Sequence, residues 1–395
     1  MTEMEAILEQ YRQIGPDDLC AALATVVKVE GSTYRRPGAR MLVYLDGRRI
    51  GSISGGCLEA DVVLHAQQVI TGGASEYVLY DTRVANGDVV FELGCKGSVG
   101  ILIERVDNPG VLRSLEFLAS SAQERGQGAM ATVFRVAGDS PVRVGDRLLT
   151  RTREAVRGSL ATSCITAYLQ QECAHVMQSA HAQTRMVTFP SGRVEVLIEP
   201  IQPPPALLLC GAGQDAIPLV RVARLLGWQV TVLDYRPSLL TPERFPGAEI
   251  ALITQPERLP EYCAPDARTA VILMTHSYVH DRLWLQHLLP LPFPYIGLLG
   301  PRNRAEQLLE ELRQDGAVLD AACLARLYSP VGLDIGSETP EEIALAIVAE
   351  IQAVLNDREG GFLRDRKDSM HPVSSSPGTV YPERSFQVVA CPLSA

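Results

Sequence analysis

Residues 206–216 read ALLLCGAGQDA. The apolar run Ala206–Cys210 ends directly in glycines, and "AIPLVRVARLLG" (216–227) then takes up helical spacing, so the stretch predicts a strand, a tight turn and a helix. In that context Gly211, Gly213 and Ala216 fit the G-x-G-x-x-G/A fingerprint of a phosphate-binding turn. Backbone N–H groups and the helix dipole at such a turn hold a phosphate or pyrophosphate. The alternative is a strand–helix turn whose glycines serve packing alone. Asp234 closes the next strand, "WQVTVLD", 23 positions after Gly211, where a ribose-binding acid belongs.

Outward from this turn the texture repeats. "EIALIT" (249–254), "TAVILMTHS" (269–277) and "YIGLLG" (295–300) are further strand runs separated by helical stretches, which predicts a Rossmann-like, doubly wound parallel sheet over 206–357. The last helix has a clear start, with Thr339 as N-cap, Pro340 at the first position and Glu342 completing a capping box. Other strand ends should meet at the same crevice. These bring Thr275 and His276 from "MTHS", and Arg302 and Arg304 from "GPRNR". A turn histidine and a solvated helix start are the bland readings of the same residues. Residues 358–395 have loop composition and are expected to form a flexible tail.

Upstream, "QPPP" (202–205) marks a stiff linker, and residues 1–201 read as a separate domain. Sliding the chain by 107 positions without a gap aligns "AALATVVKVEGSTYRRPGARMLV" (21–43) with "GAMATVFRVAGDSPVRVGDRLLT" (128–150). The match runs on through Gly51/Gly158 and Ser52/Ser159 to Cys57/Cys164, and each copy closes similarly, in "GSVGILIERVDNP" (97–109) and "GRVEVLIEPIQPP" (192–204). The simple reading is a duplicated α/β unit, about 20–109 and 127–204, related by pseudo-symmetry.

The first copy carries the chemistry. In "GSISGGC" (51–57) a cysteine stands behind Gly55 and Gly56, just before a predicted helix; the second copy reads "GSLATSC" there. Glycines let a ligand approach the backbone, and a helix start favours anions and thiolates. Packing of Cys57 as a small hydrophobe is the competing reading. Cys95 lies between Gly94 and Lys96 in similar surroundings, and Lys28, Arg35, Arg36 and Arg40 cluster upstream, a basic set that suits an anionic ligand or a plain charged face.

Composition narrows the classes. The 395 residues are 46% hydrophobic and 21% charged, with a net charge of -10, which disfavours nucleic acid as a partner. No apolar run is long enough to span a membrane. Nine cysteines without a C-x-x-C pair indicate neither a disulfide scaffold nor a structural zinc site. Without a signal peptide, cytoplasmic localisation is the expectation.

Several stretches in order, "TVVKVEGSTYRRPGARMLV", "GSISGGCLEADV", "GCKGSVGILIE", "LCGAGQDAIPL", "VTVLDYRP", "MTHSYVHD", "YIGLLGPR" and "PVGLDIGSETPEEIALAIVAEI", resemble the XdhC/CoxI family, from about Leu19 to Asn356. The resemblance implies an accessory protein and not an enzyme. Such a protein binds molybdenum cofactor (molybdopterin), protects it during sulfuration and delivers it to a xanthine dehydrogenase-type molybdenum hydroxylase. A cysteine desulfurase would be a further partner. The duplicated first domain and a sheet with possible open edges, independently of the resemblance, suggest a homodimer. The resemblance also implies that Cys57 sits in a Gly-Gly-Cys motif beside the metal and Cys95 in a Cys-Gly-Gly motif, from which Lys96 departs. Pro301 departs too, where such sequences often carry Ser. On this reading Gly55, Gly56, Cys57, Cys95, Arg36, Arg40, Gly211, Gly213, Asp234, His276 and Arg302 are the candidate cofactor-binding residues. The alternative is an NAD(P)-dependent oxidoreductase using the Gly211–Asp234 fingerprint, with His276 as the obvious crevice residue.

Overall fold

A computed structural model describes residues 3–13, 20–31, 33–81, 97–152, 154–253, 256–262, 264–365 and 385–387. They form two compact units, one over Glu3–Pro203 that includes the short strand Ser385–Gln387, the other over residues 204–365. Among the described residues no helix is long and apolar enough to cross a membrane.

The N-terminal unit runs α1 (Glu3–Gln13), β1 (Ala21–Gly31), β2 (Arg40–Tyr44), β3 (Arg49–Gly51), α2 (Glu59–Gly72), β4 (Glu76–Asp81), β5 (Gly97–Arg105), α3 (Pro109–Gln123), β6 (Gly128–Gly138), β7 (Arg147–Arg151), α4 (Thr166–Ser179), β8 (Gln183–Phe189) and β9 (Gly192–Ile201). Its two sheets, β3-β2-β1-β5-β4 and β7-β6-β9-β8, pair their consecutive neighbours antiparallel. They have the same order. An isolated bridge, Leu149–Arg157, stands where β2 pairs β3 through Leu42–Ile50. Both long strands break register at the same place, between Val26 and Lys28 in β1 and between Val133 and Arg135 in β6.

The apolar pattern explains this layering. Period-2 alternation puts Ala22, Ala24 and Val26 on the outer face of β1, against Leu58, Val62, Ala66 and Val69 around α2. Residues 107 positions on, Ala129, Ala131 and Val133, meet Ile165, Leu169, Cys173 and Val176 around α4. The inner faces bury one another, with Val27 and Leu102 of the first copy on Phe134 and Leu197 of the second. Strands covered on both sides read as near-continuous apolar runs, and Ala21–Val27 is buried throughout.

The inner layer also holds charges, exchanged between copies. Arg40 on β2 reaches Glu199 on β9 at 2.5 Å, and Arg147 on β7 reaches Glu104 on β5. Gly38 and Gly145, both with positive φ, make room for them, since a Cβ would lie 2.7 Å from Glu199 Oε2 and 2.8 Å from Glu104 Oε1, respectively. Arg40, read from sequence as facing an anionic ligand, is buried instead, its guanidinium held by Glu199 and the Gly38 carbonyl.

The second unit runs β10 (Ala206–Cys210), α5 (Ala216–Leu225), β11 (Gln229–Asp234), β12 (Glu249–Leu252), β13 (Thr269–Leu273), α6 (Tyr278–Leu288), β14 (Tyr295–Leu298), α7 (Arg302–Gln314), α8 (Ala321–Leu324), β15 (Leu327–Tyr328) and α9 (Pro340–Val354). Its six strands are parallel in the order β12-β11-β10-β13-β14-β15. This is a Rossmann-like doubly wound sheet. Buried side chains of α5 and α9 pack on one face, those of α6 and α7 on the other. Strand β16 (Ser385–Gln387) pairs in parallel with β8 of the N-terminal unit.

Candidate functional site

The Gly-Gly-Cys turn joins β3 to α2. Gly55, Gly56 and Cys57 are all exposed, between the buried residues Ser54 and Leu58. Gly56 has φ +109° with no atom within 4 Å of where a Cβ would lie, so backbone conformation rather than crowding calls for glycine there.

A buried network holds the turn in place. Glu59 Oε1 accepts hydrogen bonds from Ser52 Oγ (2.9 Å) and Ser54 N (2.9 Å), and Oε2 accepts one from Ser54 Oγ. Ser54 Oγ in turn accepts from Gly56 N (3.2 Å) and Leu58 N (3.1 Å) and lies 3.5 Å from Cys57 Sγ. Burial raises the Glu59 pKa, but the hydrogen bonds from Ser54 and Ser52 outweigh it and hold the carboxyl below its ordinary range. Sequence reading missed Ser54 and Glu59. Their five-residue spacing is not the three-residue spacing of a capping box, though "SGGCLE" does place an acid in the first turn of α2.

The second copy builds this connection differently, as a 3-10 turn over Ser159–Thr162 with Ser163 at φ -84° and Thr166 Oγ1 donating to the Leu160 and Ser163 carbonyls. Ala161 stands at the position of Ser54 and Thr166 at that of Glu59, and Cys164 packs partly buried against the core. The surrounding basic cluster is engaged within the protein. Lys28 lies 2.9 Å from Glu195, Arg35 is held by Glu3 and Arg40 by Glu199, and Arg36, although exposed, also has a partner. Cys95 and Lys96 lie outside the described residues. Among the described residues, no group of three or more His, Cys, Asp or Glu side chains could hold a metal ion.

The second constellation lies at the carboxyl ends of β10 and β13, where the strand order reverses. Gly211 has φ +123° and is packed so close to β13 that a Cβ would lie 2.3 Å from Met274 O. His276 follows β13 with φ +59°, and its Nε2 lies 2.8 Å from Asp215 Oδ2, beside Gly213. Thr275 Oγ1 donates to Asp281 at 2.6 Å, and Arg304 reaches the other Asp281 oxygen at 2.6 Å. Arg302 is exposed at the start of α7.

Asp234 does not present the free carboxylate that a ribose would need. Its Oδ1 accepts from Arg236 N (2.8 Å) and Nε (2.9 Å), and its Oδ2 from Ala212 N (2.7 Å) and Arg236 Nη2 (2.8 Å). A carboxylate offers about four lone-pair positions, and all are filled. Burial raises its pKa, but the Arg236 guanidinium and the two N–H groups outweigh that and hold it low. Asp234 thus ties the glycine turn to β11, and a ribose hydroxyl would reach it only by displacing Arg236.

The chain matches the XdhC and CoxI family over residues 18–81 and 121–190, and the XdhC Rossmann domain over 207–351. The chain belongs to the XdhC and CoxI family. A probable xanthine dehydrogenase subunit of Bacillus subtilis is 32% identical over 352 residues, covering 89% of this chain and 96% of that one. The molybdenum cofactor insertion chaperone PaoD of Escherichia coli is 24% identical, covering 90% and 87%. A crystal structure of a xanthine dehydrogenase from Bacillus halodurans superposes with TM-score 0.70 at 28% identity, covering 91% of this chain and 97% of its own.

Proposed function

We propose that this protein serves the maturation of a xanthine dehydrogenase-type molybdenum hydroxylase by holding molybdenum cofactor at the Gly55–Cys57 turn, guarding it during sulfuration and releasing it to the apoenzyme. The observation that carries this reading is the exposed Cys57 in a turn ordered by Ser54 and Glu59, whereas the second copy has Ala161 and Thr166 at those positions and a 3-10 turn in place of the bare glycines. The residues suit the cargo. A thiolate is a soft ligand for molybdenum, bare glycine backbone admits a bulky group, and exposed Arg36 can meet a phosphate. A single thiol also favours release. The names of the relatives support the maturation role. A cysteine desulfurase as sulfur donor, a homodimer and a cytoplasmic setting complete the proposal.

In the C-terminal unit the proposed ligand is a phosphate-bearing group facing the Gly211–Gly213 turn, His276 and Arg302. The oxidoreductase reading loses support from the saturated Asp234 carboxylate.

The deciding experiment is retention of extracted molybdenum cofactor by wild type, Cys57→Ala and Cys164→Ala in equilibrium ultrafiltration. Cys57→Ala should weaken retention about tenfold or more, equivalent to about 1.4 kcal/mol, and Cys164→Ala should leave it unchanged. Equal retention by all three folded proteins would return Cys57 to a packing role.

A further inference from the structure

Tyr34, in the loop between β1 and β2, is 71% exposed, yet it is not loosely placed. Thr33 Oγ1 donates to Arg35 O at 3.0 Å across it, and Arg35 is tied to Glu3. Its ring lies beside the Gly-Gly-Cys turn. A Cβ added to Gly55 would meet ring atoms Cγ, Cδ1 and Cδ2 at 3.7, 3.8 and 3.9 Å, which is ordinary contact. The fold therefore does not demand glycine at position 55. Lacking that methyl group leaves the ring and the peptide backbone jointly open, two residues from the Cys57 thiol.

The duplication acts as an internal comparison. At the 107-residue offset Tyr34 becomes Pro141, Gly55 becomes Thr162 and Gly56 becomes Ser163. The framework residues Gly38/Gly145, Arg40/Arg147 and Cys57/Cys164 are identical in the two copies. The same fold thus forms without the ring and without the bare turn, and the two features occur together in the copy that exposes its cysteine.

We propose that Tyr34 is a stacking platform for the flat heteroaromatic end of the ligand held at Cys57. This rests on the proposed cargo site and adds a positioning contact to it, between the Tyr34 ring and the planar pyrimidine end of the pterin. An aromatic side chain pre-positioned in this way loses little freedom on binding, and stacking of a flat heterocycle on it is insensitive to the pattern of hydrogen-bonding groups.

The test uses the full chain with Tyr34→Ala, Tyr34→Phe, Tyr34→Trp and Cys57→Ala, and molybdenum cofactor extracted from a molybdenum hydroxylase as the probe. Stacking predicts that Tyr34→Ala weakens binding about tenfold or more. Tyr34→Phe should stay within about twofold of wild type, and Tyr34→Trp should bind with quenching of the new indole emission. If Tyr34→Ala binds like wild type while Cys57→Ala does not, the stacking role falls and the cargo site stands. If Tyr34→Phe loses as much as Tyr34→Ala, the hydroxyl and not the ring makes the contact, and the proposal is overturned. No retention by the wild type overturns both readings.

Discussion

One hydroxyl organises the residues around Cys57. Ser54 Oγ joins the Gly56 and Leu58 N–H groups to the Glu59 carboxylate, so the shape of the turn depends on Glu59 remaining ionised. Its folded pKa is lowered. The stability it contributes is therefore present above the ordinary carboxyl pKa, about 4.3, and is lost as pH falls through the lowered folded value. Denaturant titrations of wild type and Glu59→Gln across this range should show a smaller acid loss in the variant, whose neutral amide does not titrate. At pH 7 Glu59→Gln should be less stable by about 1–3 kcal/mol. An identical pH dependence in the two proteins would contradict this account. Cys57 and its glycines stand out in sequence as candidates because a thiol behind two glycines is an unusual local pattern. Ser54 and Glu59 were not, since neither residue type is rare at a helix start.

Arg40 belongs to the scale of elements, because what it does is join β2 to β9. Sequence displays its charge but not its partner, 159 residues away, so the arginine read as part of an anion-facing cluster. Asp234 likewise has a partner that the fingerprint does not display. Its position at the end of β11 matched the ribose acid, while Arg236, only two residues on, fills it. Periodic features fared better. The capping box at Thr339 and Glu342 forms as its spacing implies, and the strand–turn–helix at Gly211 stands where the apolar run ends. Cys95 falls outside the described residues. For Arg40 the expected outcome is loss of about 3–5 kcal/mol in Arg40→Met or in Glu199→Leu, since either leaves a buried charge unpaired. The double variant Arg40→Met/Glu199→Leu, with no charge left to bury, should recover much of that loss. Chemical denaturation would show it as strong non-additivity, whereas additive losses would mean that the pair is not coupled.

At the scale of the whole molecule, the N-terminal unit behaves as a dimer written into one chain. Each copy supplies one arginine and one glutamate to the other's sheet, Arg40 to Glu199 and Arg147 to Glu104, and one half of a shared inner core, Val27 and Leu102 against Phe134 and Leu197. The gapless offset made the duplication legible. The exchange was not, because an internal alignment identifies equivalent residues and says nothing of which copy each one contacts. The exchange has a consequence for folding. Taken alone, residues 3–123 would expose the inner face of β1 and β5 and leave Glu104, now fully buried, without Arg147. Burial of an apolar sheet face is the main drive to fold, and an unpaired buried carboxylate opposes it. The fragment 1–123 should therefore be unfolded or aggregated on its own, whereas co-expression with 124–395 should recover a soluble complex of the two pieces. Circular dichroism of the lone fragment and size-exclusion chromatography of the pair would decide it. A cooperatively folded, soluble 1–123 would show that the first copy needs neither the core nor the charges of the second.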